Sequence, residues 1–297
     1  MKNRAYIFLS LVFFLFAFPS KSQSREQLVK NLKELSSAEM AGRKPGTPGH
    51  KLAQQYIISQ YEKAGLEPWQ QSYIQPFEIL TGKSKMDGVN LLGMVPGKSD
   101  KMIVISAHYD HLGVRSGQVY FGADDNASGV AALIYIANYF KRIQPNYTLV
   151  FAAFDGEEYG LQGARYFVSD IDHQKIALNI NMDMISRSSK KEIYACGTSH
   201  YPHLKPSLLA VADGHPAVKL KFGHDRKSSR EQDWTYNSDQ GEFHKHGIPF
   251  IYFGVEDHAD YHRSTDTFDK IDTEFYGNVV EMILDFVKET DKKNHQP

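Results

Sequence analysis

His108 and Asp110 stand two apart in SAHYDHLG, and Asp124 and Asp125 are adjacent in GADDN. Asp155, Glu157 and Glu158 crowd into FDGEEYG, Asp183 sits in NMDM, and His262 sits in YHRSTDT. Two imidazoles and several carboxylates gathered in one place hold a divalent cation. A mixed nitrogen and oxygen donor set suits zinc, whereas calcium prefers oxygen alone. Taken singly, each group has an ordinary reading. Asp-Asp-Asn ahead of a helix is a cap, Glu-Glu after a strand is a solvated turn, and a lone His is a packed or surface side chain. Asp183 resists that reading because it ends an apolar run, where an unpaired carboxylate is costly. The ordinary reading would have to hold at five separate places, so metal binding is preferred. His111, His244, His246 and His258 lack such a setting and keep the ordinary reading.

The elements that must position these groups emerge from the apolar pattern. Residues 102–106, 147–154 and 176–182 are short apolar runs, delivering the chain into AHYDHLG, DGEEYG and Asp183. Continuous apolar runs are strands buried on both faces. Between them, 127–140 and 161–168 read as helices, the first opened by a turn rich in Gly, Asp and Asn. Upstream, helices are expected over 24–36 and 52–64 and strands over 72–80 and 90–95. Downstream, a helix over 206–213, a strand over 248–253 and a helix over 274–288 continue the alternation. The expected fold is a single three-layer α/β/α domain, residues 23–297, with a mixed, mostly parallel central sheet covered by helices on both faces. Such sheets collect ligands beyond the carboxyl ends of their strands, which is where the polar clusters fall.

Together with AGRKPGTPGHKLAQQYI near the start, the motifs SAHYDHLG, GADDNASGVAAL, FDGEEYGLQGARYF, NMDM and YHRSTDT resemble the secreted zinc aminopeptidases of metallopeptidase family 28. The likeness covers nearly all of the chain beyond its first two dozen residues. It implies a co-catalytic pair of Zn2+ ions. His108 matches the His ligand of one zinc, Asp110 the residue that orients that imidazole, and Asp183 the second terminal ligand of the same ion. Asp124 matches the carboxylate bridging both ions, with the peptide bond to Asp125 in the cis form. Glu158 and His262 match the ligands of the other zinc, and Glu157 matches the general base. Asp266 could orient His262, and Tyr261 could donate to the developing oxyanion. The activity implied is removal of N-terminal residues from peptides. Two other classes compete on the same scaffold: a one-zinc glutaminyl cyclase and a non-catalytic binding ectodomain. Complete GADDN and DGEE motifs favour the peptidase. No GxSxG elbow supports a serine hydrolase.

Composition narrows the setting. The chain has 297 residues, 23% charged and 41% hydrophobic, with 12 Pro and one Cys, which excludes a disulfide scaffold or a collagen-like fibre. A formal charge of -1 gives no basic field for nucleic acid. Lys2 and Arg4 precede an apolar run over 5–18, interrupted by Ser10 and followed by Pro19-Ser20-Lys21-Ser22. That is the pattern of a secretory signal peptide, which is preferred over an uncleaved membrane anchor because the run is short for a bilayer span, where about 20 residues are needed. Residues 1–22 are therefore expected to be a leader cleaved after Ser22, leaving an exported, periplasmic or secreted protein. It should act on peptides and be free of the membrane. Cys196 has no intramolecular disulfide partner. Oligomeric state and side-chain preference are not legible, although the loop over 223–237 is a candidate pocket wall.

Overall fold

The computed structural model describes residues 21–226 and 232–293. Apart from its last two residues, the expected leader lies outside the described residues. The strands are β1 (Glu67–Pro68), β2 (Ile74–Thr81), β3 (Ser84–Val95), β4 (Met102–His108), β5 (Gly113–Arg115) and β6 (Gln118–Tyr120). They continue with β7 (Thr148–Phe154), β8 (Ile176–Met182), β9 (Glu192–Cys196), β10 (Lys219–Lys221) and β11 (Phe250–Gly254). The helices are α1 (Lys21–Leu35), α2 (Pro48–Ala64), α3 (Gly129–Phe140), α4 (Gln162–Ser169), α5 (Lys205–Asp213), α6 (Gln240–Lys245) and α7 (Thr273–Lys293).

One sheet runs in the order β1-β3-β7-β4-β8-β11-β9-β10, with β2 paired to β3. At its centre β7, β4, β8 and β11 are mutually parallel, whereas β3 joins β7, and β9 joins β11, antiparallel. All seven residues of β4 are buried, because both faces are covered. On one face Ile103, Ile105, Phe151, Ile180 and Phe253 pack with apolar residues of α1, α2, α3 and α7. On the other, Met102, Val104, Val150 and Phe154 pack with Phe167 of α4 and Phe243 of α6. The alternation along β4 is the two-residue period of a strand. The expected mixed α/β sheet with helices on both faces is what forms.

Local signals set several boundaries. Thr47 caps α2, its hydroxyl accepting from the amide of His50 at 3.3 Å, Pro48 takes the first turn, and Gly65 closes the helix at φ 73°. These are ordinary start and stop devices. The long apolar helix begins at Gly129 rather than at 127, because Ala123–Ser128 forms a wide turn in which Asp125 and Asn126 leave helical geometry. Not foreseen were β1, the β5–β6 hairpin, β9, β10 and α6. The hairpin and β10 are three-residue strands with exposed positions. α6 buries Gln240 and Glu242, a polar run that reads as loop.

Candidate metal centre

The four parallel strands end side by side, so the loops leaving their carboxyl ends are neighbours as well. His108 is the last residue of β4, Asp155 to Glu158 lie just beyond β7, and Asp183 lies just beyond β8. The GADDN turn is pinned onto this edge. Asn126 donates to the carbonyl of Met182 at 2.9 Å and accepts from the amides of Gly129 at 2.9 Å and Met184 at 3.3 Å. Asp266 accepts from the amides of Asp124 and Asp125 at 3.0 and 3.1 Å. Gly122 opens the turn at φ 58°, and a Cβ there would strike the carbonyl oxygen of Asp125. Only glycine satisfies both the backbone angle and the space.

Arg43, from the AGRKPG loop, ties the two chemical loops together. It is fully buried and donates to the carbonyls of Tyr109, Leu35, Phe121 and Gly122 at 2.7–2.9 Å, with that of Asp125 at 3.4 Å. Burial lowers its pKa to about 10, which still leaves it charged at neutral pH. Sequence reading missed it, because an Arg in a Gly- and Pro-rich loop looks solvated. Replacing Arg43 by Met orphans several buried carbonyls at once, each costing about 1–3 kcal/mol. The expected loss of stability is about 4 kcal/mol or more, measured by urea unfolding of the metal-free protein. A change under about 1 kcal/mol, the size of an ordinary surface substitution, would contradict this account.

The side chains converge as two groups around one carboxylate. His108 Nε2 lies 3.2 Å from Asp183 Oδ1 and 3.3 Å from Asp125 Oδ1. His262 Nε2 lies 3.2 Å from Asp125 Oδ2 and 3.4 Å from Glu158 Oε2. Donors about 2.0–2.1 Å from a tetrahedral zinc stand about 3.3 Å apart, so both groups have the spacing of a donor set. Asp125 presents one oxygen to each group. Glu157 lies against the first, with His108 and Asp183.

The residue between the two groups is thus Asp125 and not Asp124, which corrects the sequence expectation. The Asp124 carboxylate turns away, accepting from the amide and hydroxyl of Ser186 at 2.8 and 2.6 Å and meeting His258 Nε2 at 3.0 Å. The cis peptide bond likewise lies one residue further on, between Asp125 and Asn126. The cause is the wide turn. It takes Asp125 and Asn126 out of helical geometry, so the second acid of the pair, not the first, faces the strand ends. His108, Glu157, Glu158, Asp183 and His262 all lie at the cluster.

Asp110 departs in part from expectation. His108 Nδ1 donates to its backbone carbonyl at 3.1 Å, while its carboxylate Oδ1 is 3.7 Å away. That carboxylate instead accepts from the amides of Glu157 and Glu158 at 3.1 and 3.3 Å. The backbone carbonyl thus fixes the tautomer that leaves Nε2 free for a metal, and the carboxylate sets the backbone of both glutamates. Asp266 does not orient His262; it holds the Asp124–Asp125 backbone. Asp155 is also a scaffold residue, 3.0 Å from His50 and 2.8 Å from the amide of Val89. His258 keeps its ordinary role as the partner of Asp124, and His244 lies against His200, rings tilted by 47°, away from the cluster. His111, read as ordinary, lies instead with Asp125 and Glu158. Its signal was its place three residues after His108 in the same loop.

The electrostatics call for cations. Asp125, Glu157, Glu158, Asp183 and the buried Asp239 share one small region. Burial opposes charging His108, yet the carboxylates of Asp183 and Glu157 hold it well above the ordinary range. Against the same opposition, hydrogen bonds to Asp125 and Glu158 raise His262 to about 10. Burial, reinforced by Asp183, Asp239 and Glu158, raises Glu157 well above the usual carboxylate range. Protons on these rings stand where divalent cations would. Buried Glu158 Oε1 and both nitrogens of His111 have no hydrogen-bond partner, as expected of donors reserved for a metal. The residues present fit a pair of zinc ions.

A cavity of about 300 Å³ opens over the cluster, walled by Met184, Trp234, Tyr252, Val255, Asp257 and Tyr261, with Gln232 and Asn237. Gln232, Trp234 and Asn237 come from the loop expected to form a wall. Tyr261 stacks on His262 with ring centroids 4.0 Å apart.

A mixed sheet with an acid- and histidine-lined cavity at the ends of its parallel strands defines an α/β protein with a candidate metal centre at its strand ends. The chain belongs to peptidase family M28, whose model matches residues 90–287. It is 26% identical over 225 residues to aminopeptidase YwaD of Bacillus subtilis, covering 70% of this chain and 46% of YwaD. It is 28% identical over 187 residues to the BOS complex subunit ncln of Danio rerio, covering 57% of this chain and 32% of that protein. The chain thus spans a third to a half of the length of these curated relatives. The fold is shared with a Fimbriiglobus ruber glutaminyl cyclase at TM-score 0.75 and 20% identity, over 89% of this chain and 95% of that one. It is shared equally with BSAP, a zinc aminopeptidase from Bacillus subtilis, at TM-score 0.74 and 17% identity, over 92% and 96%.

Proposed function

We propose that this protein is an exported two-zinc aminopeptidase that removes N-terminal residues from peptides. The observation that carries the reading is the Asp125 carboxylate, with one oxygen in each of two donor groups spaced for zinc. His108 and Asp183 would hold one ion, Glu158 and His262 the other, and Asp125 both. When bound, the ions supply Lewis-acid polarisation of the scissile carbonyl and acidify the attacking water. Glu157 takes the proton of that water as its oxygen attacks the carbonyl carbon, then delivers it to the leaving amine as the C–N bond breaks. Asp110 holds the glutamate backbone so that adjacent side chains divide these tasks. Tyr261, on the cavity wall beside His262, would donate its O–H to the developing oxyanion. A cavity of about 300 Å³ is at the small end of ligand pockets, with room for a terminal residue rather than a long stretch of chain. Its Met184, Trp234, Tyr252 and Val255 wall suits an apolar side chain. Export rests on the leader-like segment over 1–22, and the mature chain is read as acting free of the membrane. Among the described residues no helix is long and apolar enough to cross one.

A one-zinc glutaminyl cyclase is the second reading, favoured by fold likeness to such enzymes at scores equal to those for aminopeptidases. Chelation and reconstitution test the metal requirement. Removing metal should lower hydrolysis of an aminoacyl p-nitroanilide by more than about a thousandfold, and two equivalents of zinc should restore it. Undiminished hydrolysis by metal-free protein would contradict the proposal.

A further inference from the structure

The two donor groups are not equal, and the difference is His111. Its side chain is buried at 1% exposure, and neither ring nitrogen has a hydrogen-bond partner. Nδ1 lies 2.8 Å from Glu158 Oε1 and 3.7 Å from Asp125 Oδ2. Those are the two carboxylates that His262 also faces. The His111 and His262 rings approach from different directions, centroids 6.0 Å apart and planes at 56°. A buried imidazole that makes no hydrogen bond is costly, and its 2.8 Å contact with Glu158 Oε1 lacks hydrogen-bond geometry, leaving both atoms unsatisfied.

Building on the two-zinc reading, we propose that His111 Nδ1 is a ligand of the ion held by Asp125, Glu158 and His262. That ion then has four protein donors, whereas the ion of His108, Asp183 and Asp125 has three. Four-donor zinc sites are closed and tight, and three-donor sites keep an open position for water or substrate. The centre therefore loads in order: the His111 side fills first and stays, and the His108 side exchanges and carries the open position.

The test uses the full chain stripped of metal and titrated with zinc against a chromogenic chelator, and separately with Co2+. Wild type should show two binding events of clearly different affinity. The first equivalent of Co2+ should give the intense visible absorption of a four-coordinate site. His111→Gln should weaken the tighter event by at least about a hundredfold, more than loss of an outer partner alone, and leave the weaker event in place. His111→Asn keeps a polar group at the Nδ1 position. It would restore affinity and spectrum if His111 merely steadied Glu158 by hydrogen bonding, and that result would overturn the proposal. Wild-type affinities in His111→Gln would overturn it too. Circular dichroism of the metal-free variants checks that they fold. The underlying reading fails in a different way. Wild type that binds one zinc, lost in His111→Gln, would keep His111 as a ligand and remove the second ion. Wild type that binds none would remove both.

Discussion

Glu157→Gln is expected to lower kcat about a thousandfold or more, with zinc content unchanged at two per chain. The carboxylate lies beside His108 and Asp183, facing the cavity over the cluster, and its neighbour Glu158 points to the other group. Gln fills the same space and its amide oxygen still accepts hydrogen bonds, but it cannot take a proton from water. General-base catalysis is worth about 10²–10⁴-fold, and the loss should fall on kcat rather than KM, since the base acts only as the reaction proceeds. Metal analysis alongside steady-state kinetics makes the check. Activity within a few-fold of wild type would remove Glu157 from that role. Loss of zinc in this variant would instead mark it as a ligand.

The second large effect separates two adjacent acids. Asp125→Ala removes the carboxylate that faces both donor groups, so it should lose both ions on dialysis and fall to background hydrolysis. Asp124→Asn should keep both ions. Its side chain is held by Ser186 and His258 outside the cluster, and an amide oxygen can still accept from Ser186. The expected cost is a stability loss of about 1–3 kcal/mol. Elemental analysis of the two variants decides between them. Zinc lost in Asp124→Asn and retained in Asp125→Ala would restore the assignment drawn from the sequence.

That reversal shows what a sequence can and cannot carry. Apolar runs over 102–106, 147–154 and 176–182 announced the central strands because burial on both faces leaves few polar positions; Ser106, Asn179 and Asn181 are there, and they hydrogen-bond with one another. Residues ending those runs were then bound to meet at one edge, and His108, Glu157, Glu158 and Asp183 do. Asp124 and Asp125 could not be told apart in this way. Which acid faces inward depends on a wide turn in which Asp125 and Asn126 leave helical angles, and residue type says little about that. Arg43 and His111 were missed for a related reason. Arg43 acts by donating to backbone carbonyls remote in sequence, and His111 acts through a loop whose path brings it back on Glu158. Contacts made by loops, rather than by periodic elements, leave no pattern to count.

The most direct test of the central reading is mass spectrometry of a mixed peptide pool incubated with zinc-loaded protein. Each peptide is supplied both free and N-acetylated, with Gln among the N-terminal residues and a chelated control alongside. Stepwise shortening from free amino termini only, abolished by chelation, is the result expected of the aminopeptidase. Shortening of acetylated peptides as well, or loss of ammonia from N-terminal Gln without shortening, would contradict it, the latter in favour of the cyclase.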